Sequence, residues 1–327
     1  MPRAEKILVT GTSGFLGGSL LRRLVSEGRC VRALVHQNEP VDVAGPFEIL
    51  RGDLRDPEDC RRAVEGIDLV FHFAAVTSGA AVMVRTPLVH LTPNVVMNTL
   101  LLEASHAAGV QRFVFPSSGA AYPPTGDRPV REEEMFTAEP YDAYYAVASM
   151  KRFSELLCEM YANRVRPPMS TVVVRPSNVY GPFDKFDPST SHVTAALVRK
   201  VAERLDPIPV WGDGSEIRDL IYIDDFLDGV LAAANARERF VAVNIASGRG
   251  ASVREILEIL LEIDRRSDAR VEFDTSKPST IPVRLMDTSL AREHLGFEAR
   301  TSLEEGLART LTWFRHHQTE EELHAIG

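Results

Sequence analysis

The chain predicts an α/β protein: a doubly wound parallel sheet followed by a smaller C-terminal α/β domain. Three observations predict it. Short β-branched runs alternate with amphipathic helical stretches from the first residues onward, the pattern of strands joined by helical crossovers. Runs such as IDLVFHFAA are apolar almost without a break, which fits strands buried on both faces. The first strand-to-helix junction carries Gly11, Gly14 and Gly17 at three-residue spacing.

In order, KILVT is a strand and residues 15–27 a helix, followed by the strands CVRALV and FEILRGDL. A helix over 56–65, the strand DLVFHFAA, a helix over 94–108 and the strand RFVFPSS come next. A helix over about 144–163 and the strand STVVVRP continue the alternation. After Gly181-Pro182 the character changes to the Pro/Asp/Ser loop PFDKFDPSTS, then helices over 192–203 and 226–236, VAVNIAS and two terminal helices. This divides the chain into a first domain over 1–180 and a second over 181–327. The boundary is interleaved, because a strand over 240–247 reads as returning to the first sheet.

The formal charge of −9 and pI near 5.6 argue against a nucleic-acid partner, since neutralising phosphates requires a basic face. Cys30, Cys60 and Cys158 are widely spaced and form neither a CxxC pair nor a zinc-like cluster, so no metal is expected and a reducing cytoplasm is. The start lacks the apolar core of a signal peptide, and no run reaches the roughly 18 residues of a membrane span.

The glycine turn identifies a dinucleotide site of the Rossmann type. Gly11 allows the tight turn, Gly14 lets backbone approach a diphosphate, and Gly17 permits close packing of helix on strand. Amides at the start of the following helix then point at the phosphates. Ser13, Phe15 and Leu16 of the same turn, with Leu54, Ala74, Ala75 and Asn94, complete the candidate dinucleotide contacts. The second strand ends at Val35-His36-Gln37, without the acid that would bond the free ribose hydroxyls of NAD. His36, helped by Arg32 or Arg29, would face a 2′-phosphate instead, which puts NADP ahead of NAD. Asp53 stands where it would hold the adenine amino group, or cap the helix beginning near Asp56.

With TGTSGFLG, FHFAA and SSGAAY in place, the chain resembles extended short-chain dehydrogenases/reductases that act on nucleotide sugars. Its second half is most similar to the GDP-fucose synthase branch, through RPSNVYGPFDKFDPSTSHV, VWGDGSEIRDLIYIDD, SKPSTIPVRLMD and SLEEGLARTLTWF. The resemblance covers essentially the whole chain. It implies that Ser118 polarises the sugar carbonyl or hydroxyl and that Lys151 holds the nicotinamide ribose. It also implies that a tyrosine four residues before the lysine carries the proton, by general acid–base catalysis. That position is Val147. Tyr144 lies about 20° from Lys151 in helical azimuth but about 10 Å away along the axis, and Tyr145 faces about 120° round. Either one serves as the acid, or both pack at the helix entrance and His192 or an ordered water gives the proton.

The same branch epimerises with a cysteine and a histidine. His192 matches the histidine, while the cysteine position falls around Gly119-Ala120, which favours simple 4-keto reduction or a one-centre reaction. The acidic pair of a 4,6-dehydratase is missing from the same place. Asn178, His192, Trp211, Arg218 and Lys277 match positions that grip the nucleotide diphosphate sugar. A homodimer formed through the helices over 94–108 and 144–163 is implied as well. The leading expectation is an NAD(P)-dependent oxidoreductase or epimerase acting on a nucleotide-activated deoxysugar. A ketoreductase for another metabolite, or a cofactor-binding protein without catalysis, stands as the alternative.

Overall fold

A computed structural model describes residues 4–77, 86, 88–188, 190–276 and 281–326, with side chains to 317. Seven parallel strands form the central sheet: β1 (Lys6–Thr10), β2 (Cys30–Val35), β3 (Glu48–Arg51), β4 (Leu69–His72), β5 (Arg112–Pro116), β6 (Ser170–Pro176) and β10 (Phe240–Ile245). Their order is β10-β6-β5-β4-β1-β2-β3. The direction of winding therefore reverses between β1 and β4, and a crevice opens there beyond the carboxyl ends of the strands.

Side chains that alternate along each strand supply two cores. From β1, Ile7 and Val9 pack against α1 (Phe15–Ser26), while Leu8 faces the opposite layer. That opposite layer holds α2 (Pro57–Val64), α3 (Leu88–Ala107) and α4 (Tyr145–Asn163). All three β1 residues are fully buried, which explains the unbroken apolar reading of the strands.

Helix α3 begins at Leu88, six residues ahead of the expected 94, and carries Pro93 within it. The proline hid this start. One residue on, the Asn94 side-chain amide donates to His90 O at 2.7 Å.

The second lobe contains β7 (Asn178–Tyr180), β9 (Ile217–Tyr222), β11 (Gly250–Ser252) and β13 (Val283–Arg284) in one small sheet, with β8 (Ile208–Trp211) paired to β12 (Val271–Asp274). Around them lie α5 (Val193–Ala202), α7 (Val253–Ile263), α8 (Ser289–Leu295) and α9 (Leu303–Ile326). The helix α6 (Ile223–Ala234) and β10 return to the central sheet, β10 pairing with β6 from Phe240 to Ile245. Among the described residues no helix is long and apolar enough to cross a membrane.

Candidate active site

At the end of β1 the chain turns on Gly11 with φ +70°, a left-handed conformation that glycine holds without steric cost. A Cβ there would stand 2.5 Å from the carbonyl of Phe73, and one at Gly17 2.4 Å from Gly11 O. Both glycines are therefore demanded by the protein's own packing. Gly14 is different: the nearest atom to its Cβ would be Gly11 O at 3.4 Å. It is the N-cap of α1, and no side chain caps that helix. The first-turn amides and the positive end of the helix dipole thus face an open cradle, which fits a diphosphate. Ser13 is exposed and Phe15 and Leu16 are half-buried around this cradle.

Ala74 and Ala75 follow β4 on the other wall, and Ala74 N donates to Thr10 Oγ1 at 3.0 Å. Asn94 does not reach the crevice as a direct contact. Its carbonyl accepts from Val76 N at 2.8 Å, and its amide donates to Val76 O and His90 O. With donors and acceptor all engaged and the residue buried, it positions the loop after β4 instead.

At the adenosine end, His36 Nε2 lies 3.6 Å from Asp53 Oδ2. Asp53 is bonded to Arg55 through both oxygens, which holds its carboxyl down at about 2. Helix α2 is capped by Asp56 rather than Asp53. Leu54 is buried beneath this corner. The two arginines expected to help His36 do not. Arg32 is buried against Glu48 and the carbonyls of Arg62, Ala63 and Glu65, and Arg29 pairs with Glu5. The sequence reading missed Arg51, which sits directly opposite Val35 in the β2–β3 register.

At the nicotinamide end, Ser118 Oγ accepts from Ala120 N at 3.1 Å and keeps its own proton to donate. Lys151 Nζ donates to Pro116 O at 2.6 Å and lies 4.8 Å from the Phe115 ring centre. Burial lowers its ammonium to about 8, with Glu155 opposing the shift. A buried chain of bonds ties this helix to the glycine turn: Thr10 Oγ1 to His72 Nδ1 (3.0 Å), His72 Nε2 to Asn98 Oδ1 (2.9 Å), and Asn98 Nδ2 to Ser154 Oγ (2.9 Å). Burial pushes His72 down to about 4. It is therefore neutral, and since Thr10 Oγ1 already accepts from Ala74 N, the network assigns the ring proton to Nε2.

No side chain fits at Gly119, where a Cβ would stand 2.9 Å from both Met286 Sδ and Pro176 O. Packing thus closes the position of the first dehydratase acid. Val147 is half-buried one turn before Lys151 and offers no proton. Tyr144 is the N-cap of α4, and Tyr145 begins the helix 49% exposed. Tyr144 and Tyr141 instead lie within electrostatic reach of Arg218.

Arg218 on β9 is paired in register with Arg284 on β13. The guanidinium of Arg218 donates to Ile217 O and Pro282 O, that of Arg284 to Tyr122 O and Pro123 O, and Arg284 Nε is buried without a partner. Burial lowers the pKa of both arginines. Of the acids near Arg218 in the sequence, Asp219 bonds Ser247 and Gly248 and Asp224 pairs with Arg309, while the charge of Glu216 acts on Arg218 without a salt bridge and opposes the shift. Two facing guanidiniums without an ion-pair partner among the described residues form a site for an anion such as a diphosphate.

Asn178 opens β7 and is exposed. Trp211 ends β8 and is 63% exposed. His192, the N-cap of α5, opens to solvent, and desolvation by its surroundings together with the charge of Lys185 lowers its pKa. Lys277 lies outside the described residues. No group of three His, Cys, Asp or Glu side chains among the described residues is arranged to hold a metal ion.

A model of the NAD dependent epimerase/dehydratase family matches residues 7–246. The chain is 30% identical to GDP-L-fucose synthase of Sinorhizobium fredii, over 95% of each chain. It is 30% identical to dTDP-4-dehydro-6-deoxy-D-allose reductase of Streptomyces bikiniensis, over 95% of this chain and 96% of that one. Among solved structures it resembles UDP-glucose 4-epimerase of Thermotoga maritima with UDP-glucose, with a TM-score of 0.85 at 28% identity, covering 96% and 99% of the two chains.

Proposed function

This chain belongs to the NAD dependent epimerase/dehydratase family, and from that membership we propose an NAD(P)-dependent oxidoreductase that reduces the 4-keto group of a nucleotide-activated deoxysugar. The observation that carries this reading is the pairing of two separate anion sites, the open cradle at Gly14 and the facing guanidiniums of Arg218 and Arg284. One suits a dinucleotide and the other a second diphosphate.

Bound nicotinamide supplies the hydride. Ser118 orients the sugar oxygen by donating its hydroxyl proton as a hydrogen bond, and Lys151 presents its ammonium to the nicotinamide ribose. Tyr144, near Arg218, joins Asn178, Trp211 and Lys277 in gripping the nucleotide. Reduction is favoured over double epimerisation because Ala120 and the closed Gly119 supply no thiol. The test is hydride transfer, followed by nicotinamide absorbance, with a panel of GDP-, UDP-, dTDP- and CDP-linked 4-keto-sugars. Ser118→Ala should lower turnover at least about tenfold with dinucleotide affinity retained. Full turnover in that variant would mean the serine does not face the reacting oxygen.

We assign NADP as the preferred dinucleotide, on His36 and on Arg51 beside the end of β2. The exposed pair of Arg51 with Glu39 is weak enough to exchange for a phosphate. His36→Asp should reverse the preference, costing NADP about 1 kcal/mol or roughly fivefold. Equal affinities for the two dinucleotides in the parent protein would remove this assignment.

We assign a homodimer on the exposed stripe of Phe153, Leu156 and Met160 along α4, a spacing that places them on one helical face. Light scattering at twice the 36.2 kDa chain mass would bear it out, and a monomer would refute it. We propose a cytoplasmic location, a reading that the three free thiols support.

A further inference from the structure

Between β8 and β9 the chain runs Trp211-Gly212-Asp213-Gly214-Ser215-Glu216, a loop folded onto its last residue. A Cβ at Gly212 would stand 2.7 Å from Glu216 Oε1, so the missing side chain makes room for the carboxylate. The outer side of the loop is held by Gly212 N on Asp274 O and by Arg254 Nη2 on Asp213 O, both at 2.9 Å. Asp213, its other acid, accepts from Ser215 N and Oγ at 2.9 and 2.6 Å.

Glu216 is placed differently. The residue is only 8% exposed, and its Oε2 is buried without a hydrogen bond among the described residues. It immediately precedes β9, two positions before Arg218, so strand alternation puts both residues on one side. Its charge acts on the Arg218 guanidinium. The carboxylate therefore adjoins two parts of the sugar-nucleotide site at once: Gly212, beside the exposed indole that ends β8, and the guanidinium assigned to a diphosphate.

A buried acceptor left unpaired costs the folded protein free energy, which a bound ligand with N–H donors recovers. The phosphates cannot serve, since a carboxylate only accepts and like charges repel. The donor must come from the other end of the nucleotide, whose flat base suits the Trp211 face. Guanine alone among the common bases presents two neighbouring donors, N1–H and the 2-amino group, to a carboxylate. Adenine and cytosine set an amino group beside a ring nitrogen whose lone pair the carboxylate repels. Uracil and thymine offer one N–H between two carbonyl oxygens. We propose that Glu216 selects the base of the sugar nucleotide, its carboxylate oxygens accepting from N1–H and the 2-amino group of guanine. The proposal rests on the sugar-nucleotide reading above.

The test is calorimetric titration of nucleoside diphosphates into protein saturated with NADP, so that the Gly14 cradle is already filled. GDP should bind at least about tenfold tighter than UDP, dTDP or CDP. IDP keeps N1–H and lacks only the 2-amino group, and it should bind about tenfold more weakly than GDP. Glu216→Ala should bring GDP and IDP within about twofold of each other. Glu216→Gln, whose amide opposes one guanine donor with its own N–H, should cost GDP at least about tenfold. Both variants should keep the parental NADP affinity, which reports an intact fold. An acid that merely shapes the loop would move all four bases together and leave the ratio of GDP to IDP as in the parent. If the parent prefers another base or none, or if Glu216→Ala keeps that ratio, the proposal is overturned while nucleotide binding itself stands. If no nucleoside diphosphate binds the NADP-loaded protein, the sugar-nucleotide reading fails and takes this proposal with it.

Discussion

Gly14→Val should abolish binding of NAD and NADP while leaving the protein folded. The backbone at Gly14 has φ −97° and ψ 173°, extended values that valine adopts without strain. A Cβ there would meet nothing nearer than Gly11 O at 3.4 Å. The added methyls therefore project into the cradle, and no rotamer of a β-branched residue withdraws both. Losing a valine-sized volume from a diphosphate site removes the amide contacts together with the space. Affinity should fall by at least about 100-fold, or about 2.7 kcal/mol. The paired control is Gly17→Val, whose Cβ would stand 2.4 Å from Gly11 O and 2.8 Å from Thr10 O. That variant should lose stability itself, by the several kcal/mol of a buried clash. Calorimetric titration and thermal melting separate the two. A Gly14→Val protein that titrates with the parental dissociation constant would show that the cradle is not the dinucleotide site.

Arg218→Ala should weaken a nucleotide-diphosphate sugar by about 2–4 kcal/mol, roughly 30- to 700-fold, and leave dinucleotide affinity unchanged. Its hydrogen bonds to Ile217 O and Pro282 O position the guanidinium without neutralising it. Arg284 opposite adds a second buried charge, so the pair repel until an anion arrives. Removing one should also relieve that repulsion, and the truncated protein should melt no lower than the parent by more than about 1 kcal/mol. Unchanged sugar-nucleotide affinity would move the assignment to a ketoreductase for a substrate without a diphosphate.

Much of this was legible before any coordinates. The parallel sheet followed from apolar runs too continuous for a one-sided strand, and the dinucleotide site from glycine spacing at one junction. Ser118 and Lys151 are expectations carried by the family resemblance. Helix α3 was misplaced at its start because Pro93 reads as a stop, whereas here it lies inside the helix at the cost of one ladder bond. Arg32 and Arg29 were proposed as phosphate ligands because they lie near His36 in sequence. Alternation along β2 instead sends Arg32 under the sheet edge to Glu48, and Arg29 stands at the opposite end of the strand with Glu5.

By itself, then, the sequence determined the class of fold and the glycine turn that forms the cradle. These depend on periodicity and on backbone conformations that few residues can adopt, and both are written in neighbouring letters. Tertiary structure alone decided which charges are free to act. Arg218 and Arg284 are 66 positions apart in the sequence and meet only through the β9–β13 register. Asp219 and Asp224 near Arg218 are taken by partners from other elements, while Glu216 is left to act on it through space. Desolvation and pairing are properties of the space around a side chain, filled by residues from distant parts of the chain.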